Sequence, residues 1–291
     1  MRWGRRRDRS VRSRPPLKPS GIGLFVLCCV LLAACNAPES DPIFGRGGET
    51  RWIDVPQGKL KAELYSTTPL SDSPVLVIVL HGDLFDPTPS YQYAFAQAVT
   101  QGFDAPAMPD GIRARLGTRS AVDDIVAAGI LRPGYADNAG DRSDGERGAA
   151  RGDNFTPDVI DAVTSAIRAL TARTMARRVV LVGHSGGATI AAIVLGRHPD
   201  AADAALLVAC GCGATRSLQP LDFASGIRPD VTVRLVVGED DEVTAPQLSQ
   251  DYGRVLQGRG VDAQVRVVPG LGHNIMFTAP VFAELDRLLR S

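Results

Sequence analysis

Six consecutive apolar residues, Val75-Leu76-Val77-Ile78-Val79-Leu80, do most to narrow what this chain can become. A strand with one wet face alternates apolar and polar side chains. An unbroken β-branched and leucine run has both faces covered, as inside a parallel sheet. Segments 126–131, 178–182 and 231–237 share that character, 204–208 shares it more weakly, and 263–268 reads as a last strand. Helical patterns lie between them at 91–101, 157–176, 188–197, 246–258 and 280–289. In the second of these, Thr156 suits the N-cap and Pro157 the first turn, while Val159, Ile160, Val163, Ile167 and Leu170 recur at helical spacing. Residues 51–65 read as two strands joined at Pro56-Gln57-Gly58. The predicted fold class is therefore α/β: a mostly parallel central sheet flanked by helices and entered through an antiparallel N-terminal hairpin.

The first 34 residues stand apart from this pattern. Seven arginines and one lysine face a single acid, Asp8, and the apolar run from Ile22 to Leu32 follows. That run is shorter than the roughly 20 residues a membrane-spanning helix needs. A basic start, a short apolar run and small residues at Ala33 and Ala34 read as an export signal. The ending Leu32-Ala33-Ala34-Cys35 is similar to the lipobox of bacterial lipoproteins, which implies lipidation of Cys35 and a place in the bacterial cell envelope, facing the periplasm or exterior. Residues 35–49, rich in Pro, Gly, Ser and acids, suit a flexible tether, and 50–291 form the folded domain. The full chain balances 32 basic against 32 acidic residues, but without residues 1–34 it keeps 24 and 31. That acidic body argues against nucleic acid as a partner and leaves the lipid anchor as the membrane contact.

Two segments interrupt the alternation, 103–124 and the Gly-, Asp- and Arg-rich 137–154; loops this long are functional or disordered. Cys210 and Cys212 are separated by one residue, so a bridge between them is strained but possible in an oxidising compartment. Neither shows a zinc-ligand pattern, and a buried structural role is expected.

The chemistry concentrates in Val180-Leu181-Val182-Gly183-His184-Ser185-Gly186-Gly187-Ala188. Gly-x-Ser-x-Gly alone is weak, but here it joins a buried strand to an apolar helix, the setting of a nucleophile elbow. The sharp turn strains the serine backbone, and the glycines two residues to either side lack the Cβ that would clash. Ser185 is the candidate nucleophile, with a helix N-terminus beneath it that favours developing negative charge. A serine needs a base, and the chain has four histidines. His81 ends a strand, His184 sits inside the elbow with its side chain directed away from the serine Oγ, and His198 precedes Pro199 at a helix end. That leaves His273, in the glycine-rich loop Pro269-Gly270-Leu271-Gly272-His273-Asn274.

A carboxylate must orient the imidazole, and four acids follow strand 231–237 in Gly238-Glu239-Asp240-Asp241-Glu242. Their mutual repulsion requires most of them to face water. Asp241 is the candidate acid, with Asp240 the alternative. The oxyanion needs two backbone donors: the amide of Gly186, and the amide of Asp83 or Leu84 in the loop after the first long strand, where Gly82 allows close approach. Whether His81 orients that loop or merely fills space stays open.

Together these residues resemble the α/β-hydrolase superfamily from about Arg51 to the C-terminus. Strand-His-Gly, Gly-His-Ser-Gly-Gly, Gly-x-x-Asp and Gly-His occur in the family's order, with 56 residues from Ser185 to Asp241 and 32 more to His273. Leu131-Arg132-Pro133-Gly134-Tyr135 looks like the loop that lines the site in esterase and peptidase members. Many members insert a large cap, whereas only 213–230 separates Cys212 from the next strand, which implies a fairly open site partly covered by 103–124. The resemblance implies a serine hydrolase acting on a small-molecule ester through an acyl-enzyme. The alternatives are a peptidase of the same fold, with the acids of 141–146 holding a free amine, or a non-catalytic binding lipoprotein. No metal and no organic cofactor is implied.

Overall fold

The computed structural model describes residues 48–83, 90–103, 116, 122–147, 155–213 and 218–291. The expected export signal, Cys35, nearly all of the expected tether, Leu84 and most of 103–124 lie outside these residues. Among the described residues, no helix is long and apolar enough to cross a membrane.

The chain opens with the antiparallel pair β1 (Glu49–Val55) and β2 (Gly58–Ser66), joined at Pro56 and Gln57 as the sequence predicts. Then follow β3 (Val75–Leu80), α1 (Tyr91–Gln101), β4 (Ile125–Ile130), α2 (Pro157–Thr174), β5 (Arg178–His184), α3 (Gly186–Arg197) and β6 (Ala204–Val208). A single-turn α4 (Pro220–Phe223) precedes β7 (Thr232–Gly238), α5 (Pro246–Gly258), β8 (Asp262–Val268) and α6 (Ala279–Arg290). The eight strands form one sheet in the order β1-β2-β4-β3-β5-β6-β7-β8. β2 pairs antiparallel with β4, and every pair from β4–β3 to β7–β8 is parallel.

Period-two geometry divides the apolar runs between two cores. Leu76, Ile78 and Leu80 of β3 face a core built with Ile160, Val163 and Ile167 of α2, Ile190 and Ile193 of α3, and Tyr252 and Leu256 of α5. Val75, Val77 and Val79 face the other, with Phe95 and Val99 of α1 and Phe282 and Leu285 of α6. Both faces are covered, which is why the run could carry no polar residue. At the start of α2 the Thr156 hydroxyl accepts the Val159 amide at 3.4 Å.

After β3 the chain turns toward β4, and after β5 it turns the other way, toward β6. The crevice between the carboxyl ends of β3 and β5 is thus the topological switch point, where open α/β sheets place their sites. Strands β4, β7 and β8 end on the same edge. Cys210 and Cys212, just past β6, are fully buried and joined by a disulfide with Cα atoms 5.1 Å apart.

The acid-rich segment after β4 is fastened to β2 through the buried Lys61. Lys61 of β2 is 3% exposed and reaches Asp137 Oδ2 at 2.5 Å and Asp141 Oδ2 at 2.8 Å. Burial pulls the Lys61 ammonium down, but its bonds to Asp137 and Asp141 hold it above its ordinary pKa. Backbone bonds complete the zipper: Asp144 N donates to Lys59 O at 2.9 Å, and Lys61 N donates to Ser143 Oγ at 2.9 Å. Removing one partner of a buried pair strands the other charge. Lys61→Met is therefore expected to lower the unfolding free energy by about 3–5 kcal/mol in urea titrations. A loss below about 1 kcal/mol, the size of an exposed pair, would contradict this.

Candidate active site

The turn from β5 into α3 fixes Ser185 at φ 54° and ψ −118°, a region that non-glycine residues rarely occupy. Two close approaches hold it there. A Cβ on Gly183 would lie 2.5 Å from the backbone N and Cα of Ala188, and one on Gly187 would lie 2.3 Å from the Leu80 carbonyl oxygen. Only glycine fits at either position, so the spacing of the motif is a packing requirement. The Ser185 amide is tied to Val208 O at 2.9 Å, which braces the elbow against β6.

The structure brings Ser185, His273 and Asp241 into one hydrogen-bonded chain. His273 Nε2 lies 3.0 Å from Ser185 Oγ, and its Nδ1 lies 2.9 Å from Asp241 Oδ2 and 3.1 Å from Oδ1. A carboxylate only accepts, so Nδ1 carries the proton and Nε2 presents its lone pair to the serine hydroxyl. Of the four acids after β7, only Asp241 is buried; Glu239, Asp240 and Glu242 face solvent. Among the described residues Asp240 makes no hydrogen bond to the His273 ring, and its amide donates to Leu271 O at 2.9 Å. Asp241 Oδ1 accepts the amides of Thr244 at 2.8 Å and Val243 at 2.9 Å, and the Thr244 hydroxyl lies 2.8 Å from Oδ2. Burial alone would raise the Asp241 pKa, but the Thr244 amide, the His273 ring and the Thr244 hydroxyl together hold it below its ordinary value.

Gly186 opens α3, so its amide has no intrahelical acceptor and lies at the positive end of the helix. Asp83 follows β3 as expected, and its side chain adds something the sequence did not suggest. A Cβ on Gly186 would lie 2.0 Å from Asp83 Oδ1, so this carboxylate rests against the helix start. Left alone it would oppose any anion formed there. Arg132 compensates it: the guanidinium is fully buried and donates to Asp83 Oδ1 at 2.8 Å and to His81 O at 2.5 Å. His81 does orient this loop. Its Nδ1 lies 2.8 Å from Gly82 O, an acceptor, which leaves Nε2 to accept the Arg132 amide at 3.1 Å.

His184 turns its ring away from the Ser185 hydroxyl, as expected, toward Tyr91 and the His273 loop. Among the described residues it makes no hydrogen bond to the Ser185 side chain, but its ring centroid is 5.2 Å from that of His273 and its Nε2 lies 3.1 Å from the His273 carbonyl oxygen. His198 belongs elsewhere, with its Nε2 3.2 Å from Asp161 Oδ1. Sequence reasoning missed Tyr91, whose hydroxyl touches His184, and Thr244, two residues past the acid-rich turn, and gave Arg132 no role of its own although it falls in a quoted motif. The only signal for Arg132 was the need for a cation opposite Asp83. Among the described residues no cluster of His, Cys, Asp and Glu has the arrangement of a metal site.

Burial pushes His184 down to about 4, and burial together with Arg132 holds His81 well below its ordinary value. In the unfolded chain both titrate near 6.5. As pH falls below about 6.5 the unfolded state therefore takes up protons that the folded state refuses, and stability present at neutral pH is lost progressively toward pH 4. Urea unfolding at pH 7 and pH 5 should show the folded state weaker at pH 5, by up to about 1.4 kcal/mol per pH unit for each histidine. Equal stability at the two pH values would contradict two neutral buried imidazoles.

No protein-family model matches the chain, and no curated protein matches its sequence. Solved structures do match its backbone. Est1E from Butyrivibrio proteoclasticus, solved with ferulic acid bound, aligns at a TM-score of 0.60 and 12% identity over 82% of this chain and 98% of its own. Thermogutta terrifontis esterase 2, in a form phosphoramylated by tabun, aligns at 0.58 and 14% over 84% and 94%. XC6422 from Xanthomonas campestris, a serine hydrolase without a lid, aligns at 0.52 and 16% over 86% and 95%. Likeness at these identities establishes the architecture of the chain as the α/β-hydrolase fold.

Proposed function

We propose that this protein is a serine hydrolase that cleaves carboxylic esters through an acyl-enzyme. The observation that carries the reading is the continuous chain from Ser185 Oγ through the His273 ring to the buried Asp241 carboxylate. His273 Nε2 takes the hydroxyl proton as Ser185 Oγ attacks the ester carbonyl, and Asp241 stabilises the imidazolium that forms. The amides of Gly186 and Asp83 receive the oxyanion of the tetrahedral intermediate. Collapse expels the alcohol, which takes its proton from His273. Water, deprotonated by the same nitrogen, then attacks the acyl-Ser185 ester and releases the acid. No step calls for a metal or an organic cofactor. The esterases among the structural neighbours agree with this chemistry.

The peptidase alternative relied on the acids of 141–146 to hold a free amine. Two of those three acids fasten the loop, Asp141 through Lys61 and Asp144 through the Lys59 amide, and Glu146 faces solvent. That weighs toward the ester. The assembled chain of Ser185, His273 and Asp241 weighs against a purely binding role. The lipobox-like ending supports an envelope protein held by lipid on Cys35.

With p-nitrophenyl esters of graded chain length, Ser185→Ala should abolish turnover. Asp241→Asn should lower kcat by roughly 10⁴-fold, because the amide no longer fixes the imidazole tautomer. Asp240→Asn, at a solvent-facing position, should stay near wild type. Comparable losses for the two asparagine variants would refute the assignment of the acid, and faster turnover of aminoacyl anilides than of esters would refute the substrate class. Cys35→Ala should release the protein from membrane fractions, and unchanged retention would refute the anchor.

A further inference from the structure

Four polar groups beside Ser185 form a chain that the proposed reaction does not use. Tyr91 opens α1, and its hydroxyl oxygen receives the Gly82 amide and lies 2.9 Å from His184 Nδ1. His184 Nε2 lies 3.1 Å from the His273 carbonyl oxygen. The directions of these bonds are fixed by what each group can do. A carbonyl oxygen only accepts, so His184 carries its proton on Nε2. A neutral imidazole then has a lone pair on Nδ1, so the Tyr91 hydroxyl donates to it. That leaves the phenol oxygen to accept from the Gly82 amide.

We propose that Tyr91 and His184 are positioning residues: a one-way hydrogen-bond chain, Gly82 N–H to Tyr91 O–H to His184 Nδ1 and His184 Nε2–H to the His273 carbonyl, holds the oxyanion loop and the base loop in register on Ser185. The proposal rests on the hydrolase reading of the site. Three features support it. The chain joins the ends of β3 and β5 to the loop after β8, the three places from which the proposed oxyanion donor, nucleophile and base come. The loop it reaches is glycine-rich, with Gly270 at φ 65° and Gly272 just before His273, and the clamp adds a side-chain tie to the backbone bonds from Asp240 N to Leu271 O and from Ile275 N to His273 O. Packing holds the relay as well: the rings of Tyr91 and His184 meet edge to face at 5.7 Å, Tyr91 meets Phe277 at 6.5 Å, and Phe277 meets Phe95 of α1 at 5.6 Å. Because the Gly82 amide is engaged by Tyr91, the second oxyanion donor must lie further along the loop, which agrees with Asp83.

The test uses the full chain labelled with ¹⁵N, in which four histidines give a readable set of imidazole signals. The wild-type His184 ring should appear as the Nε2–H tautomer, a property that general packing does not dictate. With p-nitrophenyl acetate, Tyr91→Phe should lower kcat by about 10- to 100-fold, the scale of a small misplacement of reacting groups. Its KM should stay within about twofold, since ground-state binding is untouched. His184→Gln keeps a side-chain N–H to offer the His273 carbonyl and should retain a higher kcat than His184→Leu. An Nδ1–H tautomer, an unchanged kcat in Tyr91→Phe, or equal kcat in the two His184 variants would each overturn the clamp. Undiminished hydrolysis by Ser185→Ala would overturn the hydrolase reading instead, and the tautomer measurement is independent of that result.

Discussion

The carboxyl edge of the sheet depends on how closely the turn between β5 and α3 approaches the end of β3. Backbone meets backbone there, with no room for a side chain at Gly183 or Gly187. The approach forces Ser185 into its strained conformation and sets the His81–Asp83 loop beside it. Strain of this kind costs on the order of 1–3 kcal/mol and persists only where surrounding structure over-determines it. Here that structure is a parallel sheet with apolar cores on both faces and the Ser185 amide bonded to β6. The same two cores that make β3 wholly apolar therefore hold one polar residue in an unfavourable geometry.

Around Ser185 the polar groups are arranged so that charge is matched or absent. The Asp83 carboxylate is met by buried Arg132, and Asp241 by two amides and an imidazole. His81 and His184, both buried, are held neutral. His273 is the histidine bonded to both a hydroxyl and a carboxylate. Burial thus does two things at once: it disfavours charge on the neighbouring imidazoles, and it strengthens the bonds that fix their tautomers.

Legibility in the sequence followed the range of the interactions. Strand runs, the elbow and the capped α2 are local patterns, and the structure places them within a few residues of where they were read; α2 ends at Thr174, where Met175 takes a left-handed conformation, instead of at 176. Ser185 and His273 were legible because each follows a strand in a short glycine-marked loop. Asp241 could be separated from Asp240 only by burial, which spacing does not encode. Tyr91, Arg132 and Lys61 were invisible for a different reason. Their partners are 93, 49 and 76 residues away, across strands that become neighbours only when the sheet forms. A tyrosine at a helix start, an arginine in a loop and a lysine in a strand look like ordinary surface residues until the strand order is known. The fastening of Asp137 and Asp141 was hidden for the same reason, because Lys61 lies in another strand.

Covalent capture of the nucleophile tests the central claim most directly. The protein is treated with a fluorophosphonate and digested, and the modified peptide is located by mass spectrometry. The account predicts a single adduct on Ser185, absent from Ser185→Ala and strongly slowed in His273→Ala. No adduct on the wild type, or one that persists at another residue when Ser185 is replaced, would contradict it.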